Sequence, residues 1–265
     1  MIISHKHKLI FIKPLKVAGT SFELALRDYC GPEDIITLCT PDDEKMSQER
    51  NKVHAQNHTN GSKYFNHVIG IDINYSVMQN IMNNPCYQVN KDEVMVFEPN
   101  SKRYYNHIPA RKIKKFIGDE IFNTYTKVSI IRNPIDFAIS NYYFFNACDN
   151  MDFRDYCIQH TNTTDFDKFY EINDEYIVDH TIKYETMNED IKTLEEKIPG
   201  IKGLADKMKT FKSKVYRVED MKERIPGSRT RPKNATVELF KQNFPKICNI
   251  ILRKYEKYCK KFNYK

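Results

Sequence analysis

Residues 8 to 12, KLIFI, form a short, partly β-branched apolar run closed by a turn signal, which predicts a buried strand in a parallel sheet. From Ser21 the period changes. Phe22, Ala25, Leu26 and Tyr29 recur at helical spacing, Thr20 with Glu23 matches a TxxE capping box, and Gly31-Pro32 closes the helix.

Residues 40 to 66 are polar and hold no sustained period, so they read as a long surface excursion. HVIGIDI and EVMVFEP, between residues 68 and 98, are short apolar pieces that fit either strands or fragments around a helix. Ala110 to Phe122 places Ile113, Phe116, Ile117 and Ile121 on one face of a predicted helix. A second strand-to-helix unit follows: KVSII (127 to 131) is a strand, and Asn133-Pro134 opens a helix with Ile135, Ala138, Ile139 and Tyr142 along one side. Asn133 suits the N-cap, and Pro134 suits the first helical position, where a missing N–H costs nothing. YIVDHTIKYE (176 to 185) predicts another strand before a charged helix. From about Thr236 the pattern is helical, interrupted at Pro245. Strands alternating with helices predict a single α/β domain over residues 1 to 265, with a central parallel sheet flanked by helices.

Composition narrows the class. An aromatic content of 12%, with only 8 Gly and 11 Pro in 265 residues, argues for a folded chain rather than a disordered one. A formal charge of +7 favours anionic partners without choosing among nucleotide, acidic glycan and nucleic acid. Seven scattered cysteines contain no CxxC pair, which argues against a zinc site or a disulfide framework. The apolar run Leu9 to Ile12 is too short for a signal h-region or a membrane span, so a soluble, cytoplasmic protein is expected. Sequons at Asn57, Asn60, Asn162 and Asn234 are expected by chance in so Asn-rich a chain. His5, His7, His54, His58 and His67 lie in polar segments and are expected to be solvated.

In an α/β sheet, ligands sit beyond the carboxyl ends of the strands, where loops feed helix N-termini. Residues 13 to 21, KPLKVAGTS, occupy that place. A helix start offers unpaired N–H groups to an anion, Gly19 permits close approach, and Lys16, Thr20 and Ser21 add a cation and two hydroxyls. A capped turn would use the same residues. The Walker pattern GxxxxGK[ST] is absent, which disfavours a standard ATPase or GTPase. Arg132 follows the second strand, and Ser140 lies on the helix after it. Two anion sites on one sheet edge suit a ligand with two separate phosphates.

KxxGTS after an N-terminal strand, followed by a strand ending in RNP with a serine eight positions past the arginine, resembles the PAPS-dependent sulfotransferases. The likeness is to the carbohydrate and uronyl 2-O branch in a soluble form. It implies a P-loop-like three-layer fold with PAPS (3′-phosphoadenosine 5′-phosphosulfate) as co-substrate, PAP as product and no metal. Carried over by residue, it puts Lys16, Ala18, Gly19, Thr20 and Ser21 at the 5′-phosphosulfate, and Arg132 and Ser140 at the 3′-phosphate. Leu15 and Val17 depart from the family's PKTAGTS. CGPEDIIT (30 to 37), NHIPARKIKKFIG (106 to 118), IKYE (182 to 185) and the terminal KKFNY also look like segments of this branch. A late basic loop closes over the nucleotide in the family, which makes Arg229, Arg231 and Lys233 candidate phosphate contacts.

The implied reaction moves the sulfuryl group of PAPS to a hydroxyl of a carbohydrate or other polar acceptor. Lys16 would stabilise the leaving phosphate oxygen and His107 would act as base, since the resemblance puts a histidine base in that segment. An unperturbed imidazole pKa near ~6.5 is suitably poised. Glu23 or Glu98 is the alternative base. A nucleotide-dependent kinase or NTPase, and a non-catalytic binder of anionic glycans, are the competing readings. Neither a nucleic-acid motif nor a membrane span is expected.

Overall fold

The computed structural model describes residues 1–39, 41–58, 104–144, 147–160, 167–211 and 231–265. The apolar fragments HVIGIDI and EVMVFEP, together with His67, Glu98 and Arg229, lie outside them. The chain is mixed α/β and divides into two compact units. The first holds Met1–Ile130, Asp167–Ile182 and Met187–Phe211; the second holds Ile131–Phe166, Lys183–Thr186 and Lys212–Lys265.

The first unit is built on a five-stranded sheet. Its strands are β1 (Ile2–Ser4), β2 (Leu9–Ile12), β3 (Ile35–Ile36), β4 (Thr126–Ile131) and, after the small hairpin β5 (Glu171–Ile172) and β6 (Glu175–Tyr176), β7 (His180–Lys183). The order is β3-β1-β2-β4-β7. The expected parallel sheet is in fact mixed, because β1 runs antiparallel to both β2 and β3. The apolar Met1–Ile3 completes a hairpin, and Lys8 turns it with φ 49°. The β2–β4 pairing keeps the parallel arrangement, with Ile12 opposite Ser129, and the Ser129 hydroxyl donates to the Ile12 carbonyl at 2.8 Å.

Helix Gly19–Arg27 buries Phe22, Leu24, Ala25 and Leu26 against Phe11, Val128, Ile182 and Leu204. It ends at Arg27, four residues short of the expected Gly31-Pro32 stop. The predicted helix over 110–122 is two helices, Ala110–Ile117 and Asp119–Thr124, broken at Gly118. Gly118 has φ +90°, which a residue with a Cβ rarely adopts. The polar stretch after residue 40 contains a helix, Pro41–Asn51. Its buried residues are Asp43, Glu44 and Ser47, so no apolar period announced it.

The second unit is helical. Helices Pro134–Phe144, Phe153–His160, Val237–Asn243 and Pro245–Lys254 enclose a core of Ile135, Ile139, Tyr142, Phe153, Tyr156, Phe240, Ile247 and Ile251. Phe153 meets Phe240 edge-on at 4.7 Å. Of the predicted stripe, Ile135, Ile139 and Tyr142 are buried and Ala138 is half-buried against the same core. Thr236 caps its helix by accepting from the Leu239 N–H, and Pro245 opens the next helix. No helix among the described residues is long and apolar enough to cross a membrane.

Candidate functional site

In the first unit, β2 delivers the chain into the loop Lys13–Ala18. Two non-glycine residues there are left-handed, Lys16 (φ 56°) and Ala18 (φ 60°, ψ 22°). Such residues cost free energy and persist where the surrounding fold fixes them. A left-handed Ala18 followed by a helical Gly19 turns consecutive N–H groups toward one side, the arrangement of an anion-binding nest. The expected TxxE box is not formed. Helix Gly19–Arg27 starts one residue before Thr20, and its N-cap is Ala18, which has no polar side chain with which to cap. The first turn thus offers N–H groups beside Lys16, Thr20 and Ser21, all half-buried.

Glu23 turns inward. Its Oε2 is 2.9 Å from Lys13 Nζ and 2.8 Å from the Met1 nitrogen, and its Oε1 is 3.4 Å from Arg27 Nη2, with every one of these side chains buried. Arg27 forks onto Glu44 at 2.9 and 2.7 Å and donates to the Thr37 carbonyl at 3.0 Å. Burial alone would raise the Glu23 pKa. The charges of Lys13, the Met1 amine and Arg27 outweigh burial and hold it well below the usual carboxylate range. This network sits beneath the loop and fixes its entry.

Lys13 also explains Gly19. A Cβ on Gly19 would come 2.9 Å from Lys13 Cγ, so the glycine accommodates the lysine stem. The close approach is thus made by a side chain of the protein. Val17 is fully buried among the core residues and Leu15 is exposed. The departure at position 17 therefore falls on a side chain that faces the core, where a hydroxyl would serve no ligand.

His107 joins this loop from far along the chain. It is half-buried, left-handed at φ 56°, and its Nδ1 lies 3.0 Å from the Lys13 carbonyl oxygen. A carbonyl only accepts, so Nδ1 carries the proton and Nε2 keeps its lone pair. Burial, then the neighbouring Lys13 ammonium, pushes the imidazole down to about 3, so the ring is neutral at physiological pH. Among the other histidines, the expected solvation fails for His58, which is buried. His5 contacts the Tyr125 hydroxyl and His7 the Tyr29 carbonyl, each at 2.9 Å.

In the second unit, Arg132 Nε donates to Asp136 Oδ2 at 2.5 Å, and its guanidinium stacks on the Tyr184 ring at 4.1 Å. Arg231 Nη1 donates to Asp136 Oδ1 at 2.5 Å, and its Nε to the Ala235 carbonyl at 2.6 Å. Asn133 caps the helix as expected, its Oδ1 accepting from the N–H groups of Ile135 and Asp136. Its own N–H donates to Glu185 Oε1 at 2.7 Å, and Glu185 Oε2 accepts from the Tyr264 hydroxyl at 3.0 Å. RNP, residues 183 to 185 of IKYE, RPKN and KKFNY thus belong to one unit. Ser140 is half-buried, one helical turn beyond Asp136; Lys233 is exposed. Tyr184 and Glu185 lie within IKYE, whereas Asp136 has no sequence signal beyond its four-residue step from Arg132, the spacing of a helical ion pair.

Comparisons with known protein families, with curated proteins and with solved structures found no match.

Proposed function

We propose that this chain is a PAPS-dependent sulfotransferase with a P-loop-like fold, acting on a hydroxyl of a carbohydrate or similar polar acceptor. The observation that carries the reading is the hydrogen bond from His107 to the Lys13 carbonyl. It ties a neutral imidazole, with its Nε2 lone pair available by tautomer, to the loop that leads into an uncapped helix N-terminus. The parallel β2–β4 pairing supports it further, since both strands run to the same end of the sheet.

On this reading the N–H groups of Gly19 to Ser21 and the Lys16 ammonium hold the 5′-phosphosulfate, while Arg132, Ser140 and Arg231 take the 3′-phosphate, with Arg229 and Lys233 as further candidate phosphate contacts. His107 Nε2 removes the acceptor hydroxyl proton as the oxygen bonds to sulfur. The bond from sulfur to the bridging phosphate oxygen breaks, and Lys16 stabilises the charge that develops there. The anion at this loop opposes the field of Lys13 and raises the imidazole's proton affinity in the complex, where the base is needed. Glu23 is the weaker choice of base, because its carboxylate already serves Lys13, Arg27 and the Met1 nitrogen.

The direct test is incubation with sulfur-labelled PAPS and a panel of hydroxyl acceptors. Label is expected on at least one acceptor with an equal yield of PAP, and Lys16→Ala should slow this by roughly 10²- to 10³-fold. PAPS left intact across the panel by a protein that binds PAP would sink the catalytic step and leave a binding protein.

A further inference from the structure

The Arg132–Asp136–Arg231 cluster carries an inference that rests on the reading of Arg132 as a phosphate contact. Arg132 directly follows strand β4, whereas Arg231 belongs to a basic segment much later in the chain. One carboxylate engages both, through a different oxygen to each. The Asp136 side chain is 12% exposed and that of Arg132 is 7% exposed, so solvent screens their charges poorly. Two guanidinium groups converging in such a place repel each other, and a carboxylate between them offsets the repulsion while leaving one net positive charge. The contacts also set orientation. Asp136 holds Arg132 by Nε while Tyr184 covers the guanidinium face, and it holds Arg231 by Nη1 while the Ala235 carbonyl takes Nε. Asp136 is itself fixed, because its backbone N–H is bonded to the Asn133 cap.

We propose that Asp136 is a positioning residue that gathers Arg132 and Arg231 into a single site for the 3′-phosphate of the nucleotide. The late basic segment would then owe its place in the site to an acidic side chain. This reverses the simple electrostatic expectation. If Asp136 were only a negative charge near an anion site, removing the charge would tighten nucleotide binding. If it positions the two arginines, removing the charge loosens binding, and does so only for ligands that carry the 3′-phosphate.

Calorimetric titration of wild type and Asp136→Asn with PAP and with AMP separates the two. The expected result is a loss of about 10- to 100-fold for PAP and a change of less than about 3-fold for AMP. PAP affinity that is unchanged or increased in Asp136→Asn overturns the proposal. Arg231→Lys keeps the charge but cannot make both contacts, and it guards against misfolding of the first variant. It should lower the PAP-to-AMP preference in the same direction, and a preference equal to wild type also overturns the proposal. Failure of the wild type to bind PAP would instead defeat the sulfotransferase reading on which the proposal stands.

Discussion

His107→Ala is expected to lower sulfuryl transfer by roughly 10²- to 10⁴-fold, the range typical for loss of a general base. PAP affinity should stay within about 3-fold of wild type, because in the proposed mechanism the imidazole serves the acceptor proton and leaves the phosphates to Lys16 and the helix N-terminus. The pH profile supplies a second readout. Burial and Lys13 bring the imidazole down to about 3 in the ligand-free protein. The acid limb of kcat/KM, which reports the free enzyme, should therefore show no inflection from this group near the ordinary ~6.5. The stability consequence has a definite sign. Because the folded value lies below the unfolded one, the unfolded chain binds the proton first as pH falls. His107 thus costs stability progressively between pH 6.5 and about 3, and denaturant titrations of His107→Ala should show a shallower loss over that window. Full turnover by His107→Ala would remove the histidine from the mechanism.

Glu23→Ala should destabilise the fold more than any substitution in residues 15 to 21. It leaves Lys13 buried without its carboxylate and takes one partner from Arg27, and breaking a buried ion pair on one side costs about 3–5 kcal/mol. That is a large share of a typical stability of roughly 5–15 kcal/mol. A lower denaturant midpoint is the expected observation, with Glu23→Gln intermediate. Glu23 also predicts acid sensitivity. Its folded pKa lies well below the ordinary 4.5, so its contribution is complete above pH 4.5 and is lost as pH falls below that value. A variant as stable as wild type at neutral pH would show that the network beneath the loop contributes little.

The parts of the fold that follow an apolar period were legible in the sequence. KLIFI and KVSII became β2 and β4, and of the Ile135, Ala138, Ile139, Tyr142 stripe all but the half-buried Ala138 became core. What escaped was organised by charge. Helix Pro41–Asn51 turns Asp43, Glu44 and Ser47 inward, so its polar sequence read as a surface excursion. Glu23 was spaced as a helix cap but pairs with Lys13, a residue whose burial no local pattern foretells. The mixed sheet escaped for a simpler reason: three residues, Ile2 to Ser4, are too few to show a period. At the candidate site the residue types were legible and their partners were not. A motif names Lys16 and Arg132, whereas the hydrogen bond from His107 to Lys13 and the sharing of Asp136 by two arginines join residues far apart in the chain.

In the proposed function this protein takes a nucleotide phosphorylated at both ends. The most direct test of this is the binding of PAP against AMP, at one ionic strength, to wild type and Arg132→Ala. Wild type is expected to prefer PAP by about 10-fold or more, and Arg132→Ala to abolish the preference. Equal affinity of the wild type for the two nucleotides, or an Arg132→Ala protein that keeps the preference, would contradict it.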